Sequence, residues 1–258
     1  MSTDQFSVDG DTAVVTGASS GIGRAIAESF AADGVDVVVC SREQDNVDPV
    51  AEGIRESDRP GAAVAVECDV TDRDAVDALV ETTVAEFGSL DVLVNNAGAS
   101  FMAGFDDISP NGWETIVDIN VNGTYHCTHA AADHLKAGGG AVINLASVAG
   151  QQGSAYMSHY GAAKAAVINL TTSLAAEWAS DDVRVNCIAP GFVATPGVES
   201  QMGVSADAID RSDVDRQIGT VEEIADIAQF LASPASSYMV GETIAAKGVP
   251  RVEETPDV

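Results

Sequence analysis

Positive charge is what this sequence has least of. Three lysines and nine arginines face 40 acidic side chains in 258 residues, for a formal net charge of -28. A surface this negative repels nucleic-acid phosphates and anionic lipid headgroups, so neither is expected as a partner. Aromatic residues are scarce too, at 5% against 46% hydrophobic, so the core has to be built from Ala, Val, Ile and Leu. No apolar run reaches the 18 residues of a membrane span, and residues 1–10 (M-S-T-D-Q-F-S-V-D-G) lack a basic, apolar leader pattern; a cytoplasmic location is expected. Cys40, Cys68, Cys127 and Cys187 are far apart, with no C-x-x-C pair and no matching histidine spacing, which argues for buried free thiols and no metal site. Hydrophobic content is too high for disorder, so the acidic excess reads as adaptation to molar salt, where the Debye length falls to about 3 Å.

What the chain does have is alternation of short valine-rich runs with helical ones. Asp11 to Gly17 reads as a buried strand, followed by the turn T16-G-A-S-S-G-I-G23 and a helical run from Arg24 to Ala32. Gly17, Gly21 and Gly23, with Ser19, Ser20 and Ile22 between them, let a backbone approach a pyrophosphate at a helix N-terminus. A second strand, Val35 to Cys40, ends in Ser41-Arg42, where dinucleotide folds place an acid if they bind NAD. A neutral serine with an arginine, and Arg24 just past the turn, point instead to the 2'-phosphate of NADP(H), unless both arginines are ordinary surface residues.

A helical segment from about Asp45 to Glu56 leads to a third strand, Ala62 to Glu67, ending in Cys68-Asp69-Val70. Thr71 and Asp72 cap a helix that Gly88 stops. The fourth strand, Leu90 to Val94, ends in N95-N96-A97-G98. A long helix from Ser109-Pro110 to about Leu135 carries Asn120, Asn122 and Gly123 in mid-span, which predicts a kink and a freed carbonyl. Ala141 to Leu145 and Val183 to Ile188 are the next strands, separated by a helix to about Ala179, and the sixth ends in A189-P190-G191. Residues 192–216 show little periodicity and read as a substrate lid. A helix from Val221 to Ala232, a last strand from Glu242 to Ala246 and an exposed acidic tail at 250–258 complete the chain. The expectation is one domain over 1–258: an α/β fold of about seven strands in a doubly wound parallel sheet with helices on both faces.

Ser147 follows the central strand at the sheet edge where open α/β folds keep ligands, and Tyr160 and Lys164 share one helix face. Four tyrosines and three lysines would generate a Y-x-x-x-K only about 0.05 times by chance, which favours purpose. By itself the pair is equally a hydrogen-bonded buried tyrosine beside a snorkelling lysine.

Taken together, T16-G-A-S-S-G-I-G23, Asp69, N95-N96-A-G98, I119-N120, Ser147 with Y160-x-x-x-K164, and P190-G191 closely resemble the short-chain dehydrogenase/reductase family, from about Thr12 to Gly248. The resemblance implies a Rossmann-type sheet in order 3-2-1-4-5-6-7 and hydride transfer between NAD(P) and an alcohol or carbonyl. It makes Tyr160 the general acid/base, Ser147 the donor to the substrate oxygen, Lys164 a ribose ligand that also lowers the phenol pKa, and Asn120 the holder of a water. Asp69 and Val70 would touch adenine, and Asn96 the adenosine ribose side with Ala97 and Gly98 beside it. Pro190, Gly191, Val193 and Thr195 would complete the cofactor cleft, the backbone near Val193 facing the carboxamide. The alanine-rich helices around Asn120 and Tyr160 resemble those the family pairs into dimers or tetramers.

Two features depart from the family or leave it open. The last strand, which the family commonly ends V-D-G-G, here ends A246-K-G-V249. The lid and the loop from Gln151 to His159 follow no pattern that fixes one substrate. The implied activity is an NADP-dependent carbonyl reductase or alcohol dehydrogenase, with a 3-oxoacyl thioester reductase as its commonest variant. A sugar or polyol dehydrogenase, for example one like glucose 1-dehydrogenase, is the alternative. A non-catalytic cofactor sensor would be expected to lack the tyrosine or the lysine, and both are present.

Overall fold

The computed structural model describes residues 3–249; the tail at 250–258 lies outside them. In chain order the elements are β1 (Thr12–Thr16), α1 (Gly21–Ala32), β2 (Asp36–Ser41), α2 (Gln44–Glu56), β3 (Ala63–Glu67), α3 (Arg73–Phe87) and β4 (Val92–Asn95). There follow α4 (Pro110–Val117), a π-helical turn at Asp118–Asn122, α5 (Gly123–Gly138), β5 (Gly140–Leu145), α6 (Val148–Gln152), α7 (Ser158–Trp178) and β6 (Val183–Pro190). The last group is β7 (Phe192–Val193), α8 (Pro196–Met202), β8 (Ile218–Gly219), α9 (Val221–Ala232) and β9 (Thr243–Ala246).

Seven strands form one parallel sheet in the order β3-β2-β1-β4-β5-β6-β9, which is the expected order once the small β7-β8 pair is numbered. The order reverses between β1 and β4, and a crevice at the carboxyl ends of the strands opens there. Strand residues alternate between two cores. Ala13, Val15, Val37 and Val39 face α1, α2 and α9, where Ile26, Phe30, Val47 and Leu231 meet them. Val14 and Val38 face the opposite side, against Leu79 of α3, Leu135 of α5 and Trp178 of α7. Burial on both faces is the reason these strands read as continuous valine runs. All four cysteines are buried and unpaired.

Local signals set the helix ends. The Asp72 carboxylate accepts from the amides of Asp74 (3.0 Å) and Ala75 (3.4 Å), and Gly88 ends α3 in the left-handed conformation at φ 88°. The expected mid-helix kink is the π turn: the Asn120 side-chain amide donates to the Ile116 carbonyl at 2.9 Å, taking up an oxygen the helix ladder leaves free. Residues 192–216 are more ordered than their periodicity suggests. They begin with β7 and include α8, whose start is set by Thr195 Oγ1 accepting from Val198 N at 3.3 Å and by Pro196 in the first turn.

Candidate active site

The glycine turn leaves β1 at Gly17, which has φ 62° and stands so close to the β4 exit that a Cβ there would lie 2.8 Å from Ala97 Cα. Asn96 braces the turn: its side-chain amide donates to the carbonyls of Thr16 and Gly17, both at 2.9 Å. Thr16 Oγ1 in turn accepts from the amides of Asn96 (3.1 Å) and Ala97 (3.0 Å). At the start of α1, Ser20 makes no side-chain capping bond and the first turn holds no acid, so its N–H groups are left for an anionic ligand.

From this turn a cavity of about 590 Å³ runs along the carboxyl edge of the sheet, within the usual size range of cofactor clefts. Most of the expected residues line it: Gly17, Ser19, Ser20, Gly21 and Ile22 from the turn, Ser41 and Arg42 after β2, and Asp69 and Val70 after β3. Asn96, Ala97 and Gly98 after β4, then Ser147, Tyr160, Lys164, Pro190, Gly191, Val193 and Thr195, continue the wall. Ala99, Ser100, Ile119, Phe192 and the segment Pro196 to Val198 also line it; for Ala99 and Ser100 the signal in the sequence is the uncharged run after N95-N96-A-G98, for Ile119 the I119-N120 pair, and for the others the stretch read as a lid.

Three expected residues stand elsewhere. Arg24 lies off the cavity, half-exposed, with Nε 2.7 Å from the Glu28 carboxylate one helical turn on, whereas Arg42 lines the cavity. Among the described residues Arg42 makes no hydrogen bond or ion pair. Gly23 lies beneath the turn, where a Cβ would meet the Gly17 carbonyl oxygen at 2.6 Å, so it serves packing. Asn120 is wholly buried behind the wall; its Nδ2 donates to the Ala99 (2.8 Å) and Ile116 carbonyls, and its Oδ1 finds no partner among the described residues. A Cβ on Gly98 would stand 2.8 Å from that Oδ1 and 3.3 Å from Lys164 Nζ, so the bare glycine separates the two groups.

Ser147 caps α6, its Oγ accepting from Ala149 N at 3.2 Å, which leaves the hydroxyl proton to donate. Lys164 Nζ lies 5.7 Å from the Tyr160 ring centroid and donates to the Leu145 carbonyl at 2.7 Å. Burial lowers the lysine pKa to about 8. Burial raises the Tyr160 pKa, and a hydrogen bond with Ser147 opposes the rise; the expected lowering calls for an oxidised nicotinamide beside the ammonium. The ammonium is engaged by the Leu145 carbonyl, and burial governs the phenol in the ligand-free chain. One neighbour was not anticipated: His159 is fully buried against Phe101 at 4.2 Å between ring centroids, and burial lowers its pKa.

A protein-family model described as Enoyl-(Acyl carrier protein) reductase matches residues 17–248. The chain is 42% identical to a cis-4-hydroxycyclohexanecarboxylate dehydrogenase from Sinomonas cyclohexanicum, over 92% of this chain and 94% of that protein. It is 40% identical to a 3-oxoacyl-[acyl-carrier-protein] reductase from Synechocystis, over 92% and 95% respectively. A crystal structure of a short-chain type dehydrogenase/reductase from Mycobacterium marinum superposes with a TM-score of 0.86 at 34% identity, covering 95% of this chain and 97% of that one. With the motifs in order, the sheet order matched and the site residues gathered on one cavity, the chain belongs to the short-chain dehydrogenase/reductase family, whose members are oxidoreductases that bind nicotinamide cofactors.

Proposed function

We propose that this protein reduces a ketone to a secondary alcohol with NADPH, and catalyses the reverse oxidation. The observation that carries the reading is the convergence of Ser147, Tyr160 and Lys164 on one wall of the cavity that begins at the glycine turn. When bound, the nicotinamide supplies the hydride to the carbonyl carbon. Ser147 Oγ holds the substrate oxygen by a hydrogen bond, and Tyr160 Oη delivers the proton to it. A phenol whose pKa is raised by burial keeps that proton at neutral pH, which suits the reductive direction. Lys164 binds the ribose hydroxyls and, once so placed, eases loss of the phenolic proton by its charge. The unpartnered Asn120 Oδ1 behind Gly98 suits a water that returns the proton from solvent.

NADPH is preferred over NADH in this reading because Ser41 replaces the acid that would hold ribose hydroxyls, and Arg42 has no partner among the described residues. The names of the two relatives support a secondary alcohol or a 3-oxoacyl thioester as substrate. Residues 192–216 act as the lid, the chain functions as one cytoplasmic domain, and α4, α5 and α7 supply the surfaces of a homodimer or homotetramer. The test is oxidation of NADPH and NADH across ketones, keto-thioesters and aldoses in molar KCl. Turnover of a ketone or keto-thioester with higher kcat/KM for NADPH is expected. Equal or better use of NADH would remove Arg42 from cofactor choice, and turnover of aldoses alone would favour the polyol alternative.

A further inference from the structure

In a chain with 40 acids, the walls around Ser147 and Tyr160 hold none. Residues 92–105 and 185–198 contain no Asp, Glu, Lys or Arg, and residues 137–176 contain only Lys164. These three stretches form the cavity wall from Asn96 through Ser100, Leu145, Ser147 and Tyr160 to Val198. The other two charged lining residues, Arg42 and Asp69, follow β2 and β3, on the far side of β1 and β4 from β5 and β6. Lys164 is committed to the Leu145 carbonyl, Arg211 and Arg216 are committed to Glu223, and Lys247 packs its stem on Gly191 without lining the cavity.

Four aromatic rings on these stretches are exposed to solvent: Phe101, Phe105, Tyr156 and Phe192. Phe192 lines the cavity and is 59% exposed. Tyr156, four residues before Tyr160, is 64% exposed and sits at φ 65°, a left-handed conformation uncommon for a bulky side chain. Its carbonyl accepts from Ala103 N at 2.9 Å, tying the loop after β4 to the entry of α7, and Phe101 on His159 anchors the same loop. That loop thus holds the Tyr156 side chain outward instead of burying it.

We propose that the substrate is an uncharged ketone or secondary alcohol bearing a ring-sized apolar group, seated against Phe192. This rests on the oxidoreductase reading above. A carboxylate or phosphate entering here would lose its hydration without meeting a free cation, and a polyol would meet only the neutral side chains of Asn96, Ser100 and Thr195 beside the catalytic hydroxyls on this wall. An apolar ring gains burial and contact with an aromatic face.

Three probes separate the cases: 4-tert-butylcyclohexanone, 4-oxocyclohexanecarboxylate and dihydroxyacetone. Binding of each to the protein saturated with NADP+ is measured by saturation-transfer NMR, and kcat/KM with NADPH is measured alongside. The alkyl ketone is expected to bind about ten-fold or more tightly than the other two, as burial of such a group predicts. Phe192→Ala should erase most of that preference while Phe192→Leu keeps it, with circular dichroism showing both variants folded. Equal or tighter binding of the carboxylate or of dihydroxyacetone, or an unchanged preference in Phe192→Ala, would overturn the proposal. Selective binding of the alkyl ketone without reduction would support the substrate class and remove the oxidoreductase reading instead.

Discussion

At the scale of single residues, Lys164 carries a titration that can be read directly. Its pKa in the free protein is held near 8 by burial, below the ordinary 10.5, so the fold disfavours the charged form. Below pH 8 that cost is present in full, and stability rises as pH climbs from about 8 to about 10.5, because only the unfolded chain then keeps the proton. Ribose hydroxyls that accept from the ammonium reverse the preference. Cofactor binding at pH 8.5 is therefore expected to take up part of a proton, measured by calorimetry in buffers of different ionisation enthalpy, and to take up none in Lys164→Ala. No uptake in the wild type would detach the lysine from the cofactor. Ser147, Tyr160 and Lys164 were legible in the sequence because strand exit and helical spacing alone place them. Arg24 stands off the cavity because the same helical spacing supplies an acid, Glu28, and the Asn120 Oδ1 without a partner among the described residues was hidden because it depends on what packs around a kink.

Elements show the same division. Caps written in the sequence are found where their chemistry puts them, as with Asp72, Gly88 and the Ser109-Pro110 start of α4, where Ser109 Oγ accepts from Gly112 N at 3.0 Å. The π turn was foreseen as a kink only, since its hydrogen bonds involve Ala99 from another loop. α8 was missed because its start rests on a two-residue signal, Thr195-Pro196, inside a stretch without clear periodicity. The proposed return of the proton depends on Gly98, wedged between the π turn and α7. Gly98→Ala should lower kcat at least about ten-fold, because its Cβ crowds Asn120 Oδ1 at 2.8 Å and displaces a water-sized group, while thermal melting shows a folded protein. Activity equal to wild type would show that the gap behind the wall has no part in proton return.

At the scale of the whole molecule, composition fixes the surface and the site breaks the rule. Forty acids against twelve bases repel one another wherever salt is low, and screening shortens their reach from about 10 Å at 0.1 M to about 3 Å at 1 M. The melting temperature is expected to rise steadily from 0.1 to 3 M KCl, and a flat profile would defeat the reading of salt adaptation. The walls around Ser147 and Tyr160, free of acids, stand apart from this background, and the role proposed there is that Tyr160 exchanges the proton of a nicotinamide-dependent reduction. It is tested most directly by comparing wild type and Tyr160→Phe in ketone-dependent NADPH oxidation, with cofactor affinity titrated by fluorescence on the same samples. Turnover is expected to fall by about a thousand-fold or more with the NADPH dissociation constant within a few-fold of wild type; a phenylalanine variant that keeps most of its kcat would show that the phenol does not exchange that proton.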